Sequence, residues 1–204
     1  MLRNLLFFVF LVNSSFGLAS GQDEKYFVFV GEKISLDVVP QQKGGLSLDS
    51  EYLANYRVIS SVRGNYNANN IEFTAFDHYG EPAFSKYQYV LLYVILIDGR
   101  YYHSKYQYSP LYKTKSGKWA GTYNVSDYKH SYNKGTAIKP EKIDFSEPVV
   151  IDISSYKHKD VEKWFPEPYY KINGSKATAV YGNYIEELFL LKQGSVLKAR
   201  GEFQ

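Results

Sequence analysis

The densest cluster of polar residues in the chain is Asp77-His78-Tyr79-Gly80, which follows a short run of alternating apolar residues. An aspartate and a histidine can act as general base and acid in hydrolysis, or they can orient a bound ligand. Adjacent residues on a strand point to opposite faces, so Asp77 or His78 needs a partner from elsewhere, such as His103. The alternative is that Asp77 caps a turn closed by Gly80 and that His78 is an ordinary surface residue.

Aromatic residues offer a second kind of chemistry, because the chain has 21 Tyr, 13 Phe and 2 Trp. Tyr combines an apolar face with a polar tip and suits a surface that binds sugars or peptides. It also suits the half-buried faces of ordinary strands. Trp119, in Gly-Lys-Trp-Ala-Gly, is either a stacking platform or a hydrophobic anchor. The candidate ligand-binding residues are Asp77, His78, Tyr79, Tyr102, His103 and Trp119.

Composition excludes several other classes of site. The chain has no cysteine, which rules out disulfides, cysteine nucleophiles, thiolate zinc sites and iron–sulfur clusters. No Gly-rich phosphate loop and no Gly-x-Ser-x-Gly motif occurs. A net charge of +3 without a long basic run predicts no nucleic-acid partner. We predict no cofactor and no metal, since the histidines are widely spaced: His78, His103, His130 and His158.

The first 19 residues are predicted to be a signal peptide. Arg3 supplies the positive charge, residues 5–12 are apolar, and small residues precede a cleavage site after Ala19. No other apolar run approaches the roughly 20 residues that span a bilayer, so we expect an exported, soluble protein without a membrane span. We expect it to be periplasmic or secreted, and the lack of cysteine favours a bacterial periplasm. Asn124-Val-Ser and Asn173-Gly-Ser match the N-glycosylation pattern.

Residues 20–122 read as a series of strands. The segment 87–97 is apolar on both faces and should be a central strand, and Asp98-Gly99 predicts a tight turn after it. Its partner at 100–108 should carry Tyr102, Tyr106 and Tyr108 on one face and His103 on the other. The other predicted strands are 26–39, with Gly31 at a bulge or close approach, 51–62 and 71–78, followed by a hairpin around 115–117.

The rest of the chain is predicted to extend this β region. Residues 123–148 are rich in Lys, Tyr and Asn and read as a long loop with little regular structure, a type of segment that is often functional. Residues 149–204 read as an α/β extension with a strand at 149–153, a helix at 157–165, a strand or helix near 177–182, and a helix at 184–193. Gly194 is placed to cap that last helix.

Four segments in order resemble the netrin-like module of the tissue inhibitors of metalloproteinases. They cover about residues 26–121 and read VFVGEKI (28–34), YRVISSVRGNY (56–66), IEFTA (71–75) and YQYVLLYV (87–94). The resemblance implies an OB-type barrel. That family relies on disulfides and an N-terminal cysteine, which this chain lacks, so inhibition of metalloproteases is not implied. The expected fold is mostly β: an OB-like antiparallel barrel with a C-terminal extension that carries one or two short helices and packs on the barrel.

Three functions are compatible with these features. The first is a non-enzymatic binding or accessory module that uses the barrel face and the Tyr-rich loop, with a peptide, a glycan or an envelope protein as partner. The second is a hydrolase built around Asp77 or His78. The third is a structural or assembly protein of the cell envelope. Many aromatic residues and few convergent ionisable groups favour the first.

Overall fold

The computed structural model describes residues 25–40 and 48–203, and most of its regular structure is β. The predicted signal peptide and most of the predicted loop at 40–47 lie outside these residues. Among the described residues, no helix combines the length and the apolar character needed to cross a membrane.

The first five strands close into a barrel in the order β1-β2-β3-β5-β4. All neighbours are antiparallel except β3 and β5, which run parallel where Thr74 pairs with Tyr102. This closed barrel confirms the predicted fold class. The strands are β1 Tyr26–Val38, β2 Ser50–Arg63, β3 Asn70–Asp77, β4 Tyr89–Ile97 and β5 Arg100–Pro110.

The barrel interior is filled by side chains that alternate along each strand. Phe29, Tyr56 and Phe73 lie in this core, and a short 3₁₀ helix at Ala83–Lys86 adds Phe84 to it. Gly31 is required on β1, because a Cβ atom there would come within 2.9 Å of the Phe29 ring. The predicted close approach at Gly31 is therefore confirmed, and the pairing register shifts beside it.

Strand β4 is covered on both sides, as predicted. Leu92 and Val94 face the barrel core, whereas Leu91 and Tyr93 face a second layer formed by the C-terminal part of the chain. The predicted turn after β4 is also present, with Asp98 and Gly99 both at positive φ.

The predicted single tyrosine face of β5 is wrong. His103 and Tyr108 both pack against Phe84 in the barrel core, whereas Tyr102 stacks on Phe76, which is partly exposed. The physical reason is a bulge. Leu92 of β4 pairs with Tyr108 and Val94 pairs with His103, so residues 104–107 of β5 lie opposite the single residue Tyr93 of β4, and Tyr106 there has a φ of 67°.

Among the described residues, the second layer contains seven short strands and three short α-helices. A four-stranded sheet has the order β6-β7-β12-β8, and a three-stranded sheet has the order β10-β11-β9. The strands are β6 Tyr112–Lys113, β7 Trp119–Thr122, β8 Glu141–Lys142, β9 Val150–Asp152, β10 Tyr170–Asn173, β11 Lys176–Ala179 and β12 Tyr181–Tyr184. The helices are α1 Val125–Lys129, α2 His158–Trp164 and α3 Ile185–Lys192.

Helix α3 packs on the outside of the barrel. Leu188 and Phe189 lie in one buried cluster with Val28, Leu91 and Tyr93 of β1 and β4. Apolar burial between the two layers explains why β4 is apolar on both faces.

Two predictions for the second layer are corrected. Residues 123–148 hold more regular structure than expected: helix α1, a 3₁₀ turn at Ser131–Asn133 and strand β8. These elements are too short to show a periodic pattern in the sequence. Asn124 is the N-cap of α1, because its side chain accepts a hydrogen bond from the Ser126 amide. Gly194 does not end α3, because the chain continues through it as a π-helix at Gln193–Leu197.

Candidate functional site

The cluster predicted at the end of β3 forms a turn. The Asp77 carboxylate accepts a hydrogen bond from the Tyr79 amide at 2.9 Å, and Gly80 has a φ of 113°. The His78 ring is partly exposed, with Nδ1 2.8 Å from the Leu48 carbonyl oxygen and 3.6 Å from Asp49 Oδ1. Asp77 therefore caps this turn, as the alternative to a catalytic role predicts.

The other predicted residues lie in different surroundings. His103 is buried in the barrel, and its Nε2 lies 2.7 Å from the Gln107 carbonyl oxygen. Burial lowers the pKa of His103 to about 4, so its ring is neutral at physiological pH. Tyr102 lies at the β3–β5 contact, near the Asp77 turn. The Trp119 ring is half-buried between Tyr89 and the Lys113 ammonium.

Asp77, His78 and His103 do not converge on one cavity. His103 faces the barrel core, His78 faces outward, and Asp77 bonds to its own turn. Within the described ranges, no group of three or more histidine or acidic side chains is placed to hold a metal ion.

A cleft with two chambers lies between the barrel and the second layer. Its first chamber has a volume of about 450 Å³ and opens between the end of β5, the start of α1 and the end of α2. This volume lies in the range of small-ligand pockets, roughly 300–1,000 Å³. Six aromatic side chains line it: Tyr108, Tyr123, Tyr156, Trp164, Phe165 and Tyr170.

Two tyrosines of this aromatic chamber, Tyr123 and Tyr170, are held by contacts with neighbouring residues. The Tyr170 hydroxyl donates a hydrogen bond to the Tyr123 carbonyl oxygen at 2.6 Å, and the Tyr123 ring stacks on Tyr169 at 3.8 Å. Burial raises the pKa of Tyr108 to about 12 and also raises that of Tyr170. The chamber therefore presents apolar ring surfaces together with the neutral hydroxyls of Tyr108 and Tyr170.

A second chamber adjoins the first and is polar. It has a volume of about 390 Å³ and shares Tyr108, Pro110, Asn124 and Asp127 with the aromatic chamber. Its other polar lining residues are Gln107, Ser126, His130, Lys192 and Ser195. The β5 bulge contributes residues 106–108 to this wall, and His103 supports the bulge through its contact with Gln107.

An ion pair is buried in the polar chamber. The Lys192 ammonium at the end of α3 lies 3.0 Å from Asp127 Oδ1 on α1, and each side chain is only 7% exposed. Asn133 reinforces this link between α1 and α3, because its amide donates to the carbonyl oxygens of Asp127 and Leu191. Two opposite charges thus lie side by side at the wall of a cavity, with little of either side chain exposed.

Sequence reasoning pointed to part of this cleft only. The Tyr-rich stretch 123–148 was expected to be functional, and it supplies Tyr123, Asn124 and Asp127. Lys192 was not singled out. A signal for it was present, because it ends the apolar run Leu188-Phe189-Leu190-Leu191 on a helix that was expected to be packed.

The chain matches no family model, no curated protein and no solved structure.

Proposed function

We propose that this chain is a non-enzymatic binding module that holds a small amphipathic ligand in the two-chamber cleft. The observation that carries the proposal is the joining of an aromatic chamber to a polar chamber with a buried ion pair. Sites of this kind combine apolar walls with a few fixed polar groups that orient the ligand. A glycan or a peptide fits this description.

The arrangement of ionisable groups supports binding over acid–base chemistry. Asp127 and Lys192 neutralise each other at 3.0 Å, and His103 is neutral inside the barrel. A general acid or base has to reach a reacting atom with a proton that it can exchange. Ring surfaces and neutral hydroxyls act in another way, since they spread the binding energy over several contacts.

The two tryptophans provide a direct test. Trp164 lines the aromatic chamber, whereas Trp119 packs against Tyr89 outside it. In the Trp119→Phe variant, Trp164 is the only tryptophan, and its fluorescence should change when a ligand fills the cleft. In the matched Trp164→Phe variant, the remaining Trp119 should give no change with the same ligand.

A screen of neutral and charged oligosaccharides and of short peptides supplies the ligands. Trp164→Ala lacks the reporter tryptophan, so its affinity is measured by calorimetry. The change should weaken the binding of a hit by about 30-fold, the effect of truncating a central aromatic contact of about 2 kcal/mol. Trp119→Ala should leave the affinity unchanged. The proposal fails if no ligand in the screen alters the Trp164 signal, or if the signal follows Trp119 alone.

We also propose that the protein acts after export, in a periplasm or outside the cell, on the basis of the N-terminal sequence pattern. Mass spectrometry of the protein from a cell that expresses the full chain should find a mature N-terminus near Ser20. An intact N-terminal segment on the recovered protein would contradict this.

A further inference from the structure

The buried ion pair leaves hydrogen-bonding capacity unused inside the polar chamber. An ammonium group carries three hydrogen-bond donors, and in the described part of the chain Lys192 donates one of them, to Asp127 Oδ1. The other carboxylate oxygen of Asp127 accepts no hydrogen bond from these residues. Both side chains are 93% buried and line the cavity, so the further partner is whatever occupies the cavity, either water or a ligand.

The charges of the pair limit which partner fits. A carboxylate or phosphate near Lys192 would also meet the Asp127 carboxylate, which lies only 3.0 Å from the same ammonium. An ammonium ligand near Asp127 would be repelled by Lys192 in the same way. In a cavity of low dielectric such repulsion is strong. The pair therefore favours an uncharged group that accepts from Lys192 and donates to Asp127.

Neighbouring hydroxyl groups of a sugar ring satisfy both requirements at once. One hydroxyl accepts from the ammonium, and the next donates to the carboxylate. Two other lining side chains of the polar chamber, Gln107 and Ser126, are uncharged and can form hydrogen bonds. A polyhydroxylated ligand can use many such groups, whereas a peptide offers one amide per residue.

The aromatic chamber is complementary to the apolar face of a sugar ring. A sugar ring has an apolar C–H face and a polar rim, and aromatic side chains provide the complementary flat apolar surface. Trp164 and Tyr156 are the partly exposed rings of this chamber near α2, and Tyr156 has 43% of its surface accessible. An oligosaccharide can therefore stack one ring in the aromatic chamber and place hydroxyls in the polar one.

We infer that the cleft binds an uncharged glycan, with Asp127 and Lys192 recognising adjacent hydroxyl groups. This inference rests on the proposed function and names the class of ligand for the same site.

The test measures binding by Trp164 fluorescence in the Trp119→Phe protein. The probes are cellotetraose, xylotetraose and mannotetraose as neutral glycans, tetragalacturonate as an acidic glycan, and an end-capped neutral tetrapeptide. The key variant is Asp127→Leu with Lys192→Met, which removes both charges together and so leaves no unpaired buried charge. Its matched control is Asp144→Leu with Lys115→Met, which removes an exposed ion pair of similar length, 2.9 Å.

We expect at least one neutral tetrasaccharide to bind, and the double change at Asp127 and Lys192 to weaken it by about 10- to 100-fold. The control pair should leave the affinity unchanged. The Trp119→Phe protein with Asp127 and Lys192 intact provides a second arm that does not depend on how the double variant folds. A permethylated form of the bound tetrasaccharide keeps the ring faces but loses every O–H donor, and it should bind about 10-fold or more weakly.

Three results would overturn the inference while leaving the proposed function standing. They are binding of tetragalacturonate or the tetrapeptide alone, equal binding of the glycan by the double variant, and equal binding of the permethylated glycan. A protein whose Trp164 signal responds to no ligand in the wider screen would instead overturn the proposed function itself.

Discussion

The Asp127–Lys192 pair provides the sharpest test of how the second layer is held together. Lys192→Met keeps the length of the side chain but removes its charge. The Asp127 carboxylate is then left buried, at 7% exposure, without its partner 3.0 Å away. Removing one member of a buried pair costs about 3–5 kcal/mol, so we expect the free energy of unfolding to fall by this amount.

Adding Asp127→Leu should restore most of that loss. Replacing both charges with apolar side chains of similar volume removes the uncompensated charge, and such replacements are neutral or stabilising by about 1–4 kcal/mol. The double variant should therefore be several kcal/mol more stable than Lys192→Met alone. Lys115→Met is the matched control, because its partner Asp144 is 75% exposed and an exposed pair contributes about 0–1 kcal/mol.

The free energy of unfolding is measured for the unaltered protein, Lys192→Met, the double variant and Lys115→Met. Each is unfolded in urea at pH 7 and followed by circular dichroism and tryptophan fluorescence. A shift of the midpoint at constant m-value reports a change in stability. The reasoning is refuted if Lys192→Met costs less than about 1 kcal/mol, or if the double variant is no more stable than the single one.

Three further predictions concern the barrel and the sheet that supports the cleft. Leu92→Ala should destabilise the protein by about 2–5 kcal/mol in urea unfolding, because Leu92 is fully buried, and a much smaller loss would contradict its place in the core. The folded-state pKa of His103 is about 4 against an ordinary 6.5, so only the unfolded chain takes up its proton as the pH falls through 6.5. Stability should fall by roughly 3 kcal/mol between pH 6.5 and 4, and the His103→Gln variant should lack this part of the pH dependence. Gly182→Ala should break the pairing of β12 with β7 at a cost of about 3 kcal/mol, because its Cβ would clash with a carbonyl oxygen of β7. Gly135→Ala, where a Cβ meets nothing within 4 Å, should have little effect on the urea midpoint.

The cleft depends on tertiary contacts that no local pattern reveals. Asp127 and Lys192 are 65 positions apart, and each is an ordinary surface residue by type. Their burial follows from the packing of α3 between the barrel and α1. The β5 bulge is likewise decided by context: Tyr106 adopts a positive φ that its residue type disfavours, and its neighbours then line the polar chamber.

The same dependence explains the two errors in the second layer. Helix α1 has five residues, too few to show a helical period, and Asn124 looks like any loop residue until its side chain is seen to cap the helix. Gly194 has the type that ends helices, but here a Cβ would come within 2.9 Å of the Asn133 side chain, so glycine allows close packing while the helix continues. Residue type indicated a stop, whereas the neighbouring chain required a small residue.

The amino-acid sequence by itself determined the strands of the barrel, the coverage of β4 on both faces and the Asp98-Gly99 turn. These features follow from alternation along a strand and from the φ preferences of one or two residues, which are local properties. Only the tertiary structure decided which ionisable groups are buried and paired, because burial depends on segments distant in the chain. It buries Asp127 and Lys192 together in the cleft that we propose as the binding site, whereas Asp77 caps its own turn.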